Sequence, residues 1–161
     1  MASMIRNPEQ LDALLADVRA FVRDCWHPIE NKIELLDEVP ADIVKELQQR
    51  GFFGWSIPQA YGGLGLSTEE LILAAFEISQ ASVALRARVG TNTGIGSEAL
   101  VADGTEDQKQ RWLPRMATGE LTGCLALTEP DAGSEATNVQ TTASLQGEHY
   151  ILNGRKCYIT N

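Results

Sequence analysis

A run of hydroxyl, carboxylate and small side chains follows a short apolar stretch in the segment Cys124–Asn138, CLALTEPDAGSEATN. A strand end followed by a turn of this composition presents backbone N–H groups and hydroxyls to a polar, planar or anionic ligand. Thr128 stands at the predicted strand end, and Ser134 closes the run of small residues. The same composition also occurs in ordinary strand-to-loop transitions, so these residues alone are compatible with a ligand site and with a plain loop.

Other chemically active side chains lack partners at a useful spacing. Glu129 and Asp131 could act as paired carboxylates in acid–base chemistry, although two acids beside a proline are more typical of a solvated turn. His27 and His149 are far apart in the sequence, and a surface role is the simpler interpretation of each. The sequence has no metal-ligand spacing, phosphate-binding loop or nucleophile elbow, so we expect no metal site.

The composition limits the class of function. The chain has 161 residues, 43% of them hydrophobic, which is enough for a packed core. Its formal net charge of −9 argues against nucleic-acid binding, although backbone amides could still bind one phosphorylated ligand. No apolar stretch is long enough to span a membrane, and the opening MASMIRNPEQ has no hydrophobic signal core. Three cysteines without ligand spacing indicate buried free thiols and a reducing compartment, the cytoplasm or the mitochondrial matrix.

Helical periodicity dominates the first two thirds of the chain. A helix is predicted to begin at Pro8, with Asn7 as its N-cap, and its apolar stripe ends before Pro28. A second helix is predicted to run from Pro40 to Gly51.

Two capping boxes predict the starts of further helices. Ser67 pairs with Glu70 in the first box, and Thr105 pairs with Gln108 in the second. Another helix is predicted in GIGSEALVA, between these two. The run LILAAFEI after the first box is apolar nearly all round, so we expect this helix to be buried on several sides.

The hydrophobic period changes at about Glu120. LTGCLALT indicates an apolar strand, and NVQTTASLQ indicates a half-buried strand. In HYILNGRKCYITN, Asn153–Gly154 predicts a hairpin turn between two further strands. Helices followed by antiparallel strands predict an α+β fold, with a helical domain at 1–119 and the start of a β-domain at 120–161. Because the chain ends at Asn161 with at most four strands, we expect an incomplete sheet with an unpaired edge.

Several separate blocks resemble the acyl-CoA dehydrogenase family. LALTEPDAGSE carries the resemblance, with GTEDQKQRWLPRMATGEL before it, YILNGRKCYITN after it and IPQAYGGLGLS further upstream. The blocks occur in the family's order and spacing and cover essentially the whole chain. The resemblance implies a helical N-terminal domain and the opening strands of a middle β-domain, within a protein that also has a C-terminal helical bundle and forms tetramers around FAD.

The resemblance also implies roles for particular residues. The segment 125–128 matches the family's strand end that lies along the flavin and binds its pyrimidine side. The segment 158–160 matches the part that covers the flavin ring, where Thr160 would hydrogen-bond near the nitrogen that accepts hydride. Ser134 matches a serine at the flavin site that contacts the CoA thioester arm of the substrate. Arg86 falls close to the position at which glutaryl-CoA dehydrogenases bind the distal carboxylate. The implied FAD-binding residues are Leu125, Ala126, Leu127, Thr128, Ser134, Tyr158, Ile159 and Thr160, and the implied substrate-binding residues are Ser134 and Arg86.

The sequence departs from the family's pattern at two positions. Glu135 stands where the family usually has Asp, and Tyr158 stands where it usually has Trp, although tyrosine can also stack on a flavin. The family's catalytic base is a carboxylate in the C-terminal bundle, which these residues do not include, so no residue is named as catalytic.

The leading hypothesis is therefore the N-terminal portion of an FAD-dependent acyl-CoA dehydrogenase. It would desaturate an acyl-CoA between the α and β carbons and pass electrons to an electron-transfer flavoprotein. One alternative is a truncated, non-catalytic pseudo-subunit or interaction module, and another is a related flavin oxidase or desulfinase. We expect the isolated chain to expose apolar surface and to self-associate.

Overall fold

The computed structural model describes residues 5–161, so the first four residues of the opening segment lie outside it. Helices come first in this range and two antiparallel strands follow, which confirms the predicted α+β class. The helices are α1 (Pro8–Phe21), α2 (Glu30–Leu36), α3 (Ala41–Gln49), α4 (Thr68–Ile78), α5 (Val83–Gly90), α6 (Glu98–Asp103) and α7 (Glu106–Ala117), and the strands are β1 (Thr142–Gln146) and β2 (His149–Asn153). Among the described residues, none of the helices has the length and apolar character needed to cross a membrane.

The start of α1 is formed as its sequence predicts. The Asn7 side chain accepts a hydrogen bond from the Gln10 amide at 3.1 Å, and Pro8 occupies the first turn. Helical structure continues beyond Phe21 through a π-helical turn, Val22–Trp26, and a short 3₁₀ turn into α2. Helix α2 was not predicted, because no regular element was expected between Pro28 and Pro40.

Both predicted capping boxes are present. Ser67 Oγ accepts from the Glu70 amide at 3.3 Å, and the Glu70 carboxylate accepts from the Ser67 amide at 2.7 Å. Thr105 and Gln108 exchange the equivalent bonds at 3.3 and 2.9 Å. These reciprocal bonds satisfy amides that would otherwise lack partners, so they define where α4 and α7 begin.

One main hydrophobic core holds the helices together. Phe52 packs edge-on against Phe21 with ring centroids 5.4 Å apart and tilts against Trp55 at 5.2 Å. These three side chains are fully buried, as are Trp26 and Leu47. Burying an aromatic or aliphatic side chain of this size stabilises the fold by about 1.5–3 kcal/mol. The core therefore joins α1, α3 and the segment after α3 into one body.

Helix α4 is less buried than its sequence predicts. Ala74 and Ile78 face the core, but Ile72 is 50% exposed and Phe76 is 64% exposed. Helices α1 and α5 contact α4 without covering Ile72 and Phe76, so this apolar face is open among residues 5–161. The expectation of burial on several sides was wrong for this part of the chain, and the expectation of exposed apolar surface is confirmed there.

The hairpin forms at a different turn from the predicted one. Strands β1 and β2 pair antiparallel from Thr142 opposite Asn153 to Gln146 opposite His149, which leaves Gly147 and Glu148 as the turn. Gly147 has φ +62°, and a glycine at the first central position suits a type II′ turn. Asn153 and Gly154 lie instead at the C-terminal end of β2, so the predicted hairpin turn at these residues was wrong.

The predicted burial of the strands was also wrong. Every residue of β1 and β2 is exposed, because no described element packs against either face of this two-stranded ribbon. The LTGCLALT segment forms no ladder with another described strand, and Leu125 and Leu127 are exposed. The cysteines are free, as predicted, but Cys124 is exposed rather than buried.

Glu70 makes the stability of the fold depend on pH. Its buried carboxylate accepts hydrogen bonds from the backbone amides of Arg6, at 2.9 Å, and Ser67, and from the Arg6 guanidinium at 2.7 Å. Burial alone would raise the pKa of Glu70, but these bonds outweigh it and lower the pKa from 4.5 to about 2. A carboxylate whose pKa is lower in the folded state stabilises the fold above its unfolded pKa, and the benefit is lost as pH falls through the folded pKa.

We therefore expect Glu70→Gln to lower the free energy of unfolding at pH 7 and to weaken its decline between pH 4.5 and 2. Urea unfolding at pH 7, 4 and 3 measures this dependence. Glu148→Gln, at an exposed turn position, is the matched control and should leave the pH profile unchanged. A Glu70→Gln profile that runs parallel to that of the parent protein would contradict the assignment.

Candidate functional site

Two of the predicted site segments lie side by side. The Cys157 amide donates to the Thr128 carbonyl at 2.9 Å, and Lys156 Nζ donates to the Leu127 carbonyl at 3.1 Å. The chain after β2 therefore runs next to the 125–128 segment, although the two are about thirty residues apart in sequence. The segment Tyr158–Thr160 follows directly from this contact.

The end of the described chain also reaches helix α5. Asn161 Nδ2 donates to the Ala87 carbonyl at 3.0 Å and to Thr91 Oγ1 at 2.9 Å. Arg86 is the neighbour of Ala87 on this helix, so the second site segment spans the space between the 125–128 segment and the helix of Arg86. Of the four groups of predicted site residues, the 125–128 segment and Tyr158–Thr160 are thus adjacent, and Arg86 lies on the helix that Asn161 contacts.

Ser134, the fourth predicted group, is not in direct contact with the others. A tight turn precedes it, in which Glu129 and Ala132 exchange backbone hydrogen bonds at 2.9 and 3.2 Å. Ser134 is exposed two residues beyond this turn, and it forms no hydrogen bond with any residue in the range 5–161. Its hydroxyl is therefore open to solvent.

The region has an open, partly apolar face with free backbone donors. None of the four amides from Leu125 to Thr128 donates a hydrogen bond to another described residue. Tyr158 is 96% exposed and has a left-handed backbone with φ +57°. A non-glycine residue in this conformation is uncommon and costs free energy, so it is a candidate functional position. Free amides beside exposed apolar and aromatic side chains fit a planar ring with a polar edge.

Glu129 is a structural carboxylate rather than a base. It is buried, and it accepts hydrogen bonds from Lys156 Nζ at 2.8 Å and from the backbone amides of Gln140 and Thr141, the latter at 3.0 Å. Lys156, together with these amides, lowers the pKa of Glu129 from 4.5 to about 2. A carboxylate held in its ionised form this strongly is a poor proton acceptor at neutral pH. The expectation of a solvated Glu129 was wrong, whereas Asp131 is exposed as expected.

Asn92 is a positioning residue that the sequence analysis missed. Its fully buried side chain donates from Nδ2 to the carbonyls of Met116, at 2.9 Å, and Leu121, at 2.7 Å. Its Oδ1 accepts from the Gly123 amide at 2.7 Å. These bonds fix the chain that leads from α7 into the 125–128 segment. No role was predicted for Asn92 from the sequence around it.

The two arginines of α5 have different surroundings. Arg86 is exposed, and its guanidinium lies across Gly90, where a Cβ atom would come within 1.8 Å of Nη1. Arg88 is half-buried, donates to Thr122 Oγ1 at 3.0 Å and lies 5.3 Å from the Phe53 ring centroid. Burial lowers the pKa of Arg88. Arg86 is therefore the arginine of this pair whose charge faces solvent.

A separate groove lies at the start of α1, with a volume of about 760 Å³. Its charged side chains already have partners, since Arg6 pairs with Glu70 and Arg50 pairs with Asp17 and Glu46. The groove therefore presents no unpaired charge to a ligand, and it contains none of the predicted site residues.

Two family models match this chain in sequence order. Residues 8–120 match the acyl-CoA dehydrogenase N-terminal domain, and residues 124–161 match the acyl-CoA dehydrogenase middle domain. Together the two matches cover the helices, the 125–128 segment and the strands.

Individual relatives agree with these matches. An acyl-CoA dehydrogenase of Bacillus subtilis (strain 168) is 38% identical over 144 residues, which are 89% of this chain and 38% of the relative. A 3-(aryl)acrylate reductase of Clostridium sporogenes is 41% identical over 153 residues, 94% of this chain and 40% of the relative. The crystal structure of a Bacillus anthracis acyl-CoA dehydrogenase complexed with FAD superposes with a TM-score of 0.86 at 34% identity, covering 97% of this chain and 27% of that one. The chain spans about two fifths of the length of the two sequence relatives.

Proposed function

Because the chain belongs to the acyl-CoA dehydrogenase family, we propose that its 125–128 and 158–160 segments form part of the FAD site of an enzyme that desaturates an acyl-CoA thioester between the α and β carbons. The contact between Cys157 and Thr128 is the observation that supports this most directly, since it brings the two segments together. The electron acceptor proposed for this enzyme is an electron-transfer flavoprotein, and the proposed assembly is a homotetramer.

The proposed roles follow from the donors in the region. The amides of residues 125–128 and the Thr128 hydroxyl would bind the polar edge of the flavin, and the exposed Tyr158 ring would stack on it and exclude water. Ile159 would add apolar cover, and the Thr160 hydroxyl would donate to a ring nitrogen. A bound flavin supplies the electron acceptor, and hydrogen bonds at its polar edge make it accept electrons more readily.

We propose substrate contacts on either side of this region. Ser134 would contact the CoA thioester arm, and its exposure suits a group that enters from solvent. Arg86 would meet a carboxylate at the distal end of the acyl group, since it has no acidic partner within residues 5–161 and lies on the helix that Asn161 contacts. A dicarboxylic acyl-CoA such as glutaryl-CoA is the substrate class that this arginine favours.

The similarity to a 3-(aryl)acrylate reductase favours a second candidate function. In that case the same flavin region would serve reduction of an α,β double bond rather than its formation. The rate at which saturated acyl-CoAs reduce oxidised FAD is compared with the rate at which α,β-unsaturated acyl-CoAs reoxidise reduced FAD, and the faster half-reaction identifies the favoured direction.

We expect the purified protein to bind FAD saturably with quenched flavin fluorescence, and Thr160→Ala to weaken this binding about fivefold. The magnitude corresponds to about 1 kcal/mol for one neutral hydrogen bond. Thr137→Ala removes an exposed hydroxyl elsewhere and serves as the control. Unchanged affinity in Thr160→Ala would remove Thr160 from the site, and no saturable binding in the parent protein would contradict the proposed function.

A further inference from the structure

We propose that Lys156, held by Glu129, is a positioning residue that turns the peptide between Leu127 and Thr128 so that the Thr128 N–H faces the flavin region. The proposal rests on the proposed function, because it assigns the Thr128 amide a place among the donors to FAD. Neither Lys156 nor Glu129 is assigned contact with the cofactor itself.

The hydrogen bond to the Leu127 carbonyl sets the orientation of the peptide between Leu127 and Thr128. Lys156 Nζ donates to the Leu127 carbonyl at 3.1 Å. In a trans peptide the C=O and the following N–H point in opposite directions within one plane, and no described peptide is cis. A carbonyl directed at Lys156 therefore directs the Thr128 N–H away from Lys156, towards the other side of the segment.

The next peptide is fixed as well. The Cys157 amide donates to the Thr128 carbonyl, and the Glu129 amide donates to Ala132. Both peptides that flank Thr128 are thus held through their carbonyls, while the Thr128 N–H donates to no other residue in the described range. A donor with a fixed direction and no internal acceptor is preorganised for a ligand.

Glu129 keeps the lysine in place. The Glu129 side chain is 4% exposed and that of Lys156 is 26% exposed, with Nζ to Oε1 at 2.8 Å. The carboxylate is itself fixed by the Gln140 and Thr141 amides at the entry to β1. Exposed ion pairs are weak because both side chains move, but a buried carboxylate with several donors holds its partner in one position.

The test compares variants of adjacent cations. Lys156→Met removes the donor, Lys156→Arg restores a cationic donor, and Arg155→Met removes an exposed neighbouring charge that pairs with no described residue. The dissociation constant of FAD is measured by fluorescence quenching, and the Thr128 amide is followed by ¹⁵N–¹H NMR in the FAD-free protein. Thermal unfolding of each variant shows whether weaker FAD binding comes from a misoriented Thr128 amide or from a destabilised protein.

We expect Lys156→Met to weaken FAD binding about tenfold, Lys156→Arg to stay within about threefold, and Arg155→Met to leave binding unchanged. A tenfold loss equals about 1.4 kcal/mol. The Thr128 amide resonance should shift in Lys156→Met without FAD and return towards its original position in Lys156→Arg. If Lys156→Met does not fold, Lys156→Ala, which also removes the donor, replaces it in both measurements.

The outcomes separate the two proposals. Equal FAD affinities in Lys156→Met and the parent protein, or equal losses in Lys156→Met and Arg155→Met, would overturn the positioning role. A parent protein that binds no FAD would contradict the proposed function, and the Thr128 resonance would still decide whether Lys156 orients this peptide. An unmoved Thr128 resonance in Lys156→Met would overturn the inference by itself.

Discussion

Replacing Asn92 with alanine is expected to lower the free energy of unfolding by about 3 kcal/mol. The variant loses the side chain that bonds to the Met116 and Leu121 carbonyls and to the Gly123 amide. Each buried polar group left without a partner costs about 1–3 kcal/mol, and water entering the vacated volume recovers part of that cost. For a chain of this length the loss corresponds to a melting temperature lower by roughly 10 °C.

The effect should also reach the candidate site. Gly123 is two residues before Leu125, and it packs against Gly96 so closely that a Cβ atom on Gly123 would lie 3.2 Å from the Gly96 carbonyl oxygen. Releasing the Gly123 amide frees the entry to the 125–128 segment, so FAD binding should weaken along with stability.

Urea unfolding of Asn92→Ala measures the stability effect, and Asn31→Ala, at an exposed position of α2, is the control. The control should change the free energy of unfolding by less than about 0.5 kcal/mol. A loss below about 1 kcal/mol in Asn92→Ala would contradict the role assigned to these three bonds.

Replacing Gly63 with alanine is expected to be at least as damaging, at about 4 kcal/mol. A Cβ atom at this position would lie 2.0 Å from the Ile57 carbonyl oxygen and 2.6 Å from that of Gly54. Both contacts are with backbone, so relief requires moving the loop that places the buried Trp55 and Ile57 in the core. Losses of this size are typical only of severe overpacking or a disrupted core.

Gly62, the preceding residue, is the matched control. It has φ +84°, but a Cβ atom there would meet nothing within 4 Å. Alanine at this position carries the left-handed backbone cost alone, which is about 1–2 kcal/mol. We therefore expect Gly63→Ala to be clearly less stable than Gly62→Ala in thermal and urea unfolding. Equal destabilisation by the two substitutions would contradict the close packing of Gly63.

Local signals predicted the helix starts well. Asn7 and both capping boxes form the bonds that their spacing indicates, because donor and acceptor lie within three residues of each other and need no other part of the fold. The last helix, α7, ends at Ala117, close to the predicted change of period at Glu120, but the first strand begins only at Thr142. Helix α2 was missed because the chain passes Pro28 through π-helical and 3₁₀ turns, which lack the regular period that the analysis relied on.

Predictions that depended on contacts between residues distant in sequence were less accurate. The Asn153–Gly154 pair has the composition of a hairpin turn, but the register of β1 and β2 places the turn at Gly147 and Glu148. A Cβ atom at Gly154 would lie 2.1 Å from Thr141 Oγ1, so this glycine serves a close contact across the strands. Composition alone does not separate these two uses of glycine.

The candidate site shows the same division. The sequence by itself determined which segments carry hydroxyls and small residues, and the motif spacing indicated the family. Only the tertiary structure decided that Cys157 meets Thr128, that Asn161 reaches α5, and that Glu129 is buried against Lys156. The physical reason is range: caps and turns are bonds between near neighbours, whereas a carboxylate is solvated or buried according to residues far away in the chain.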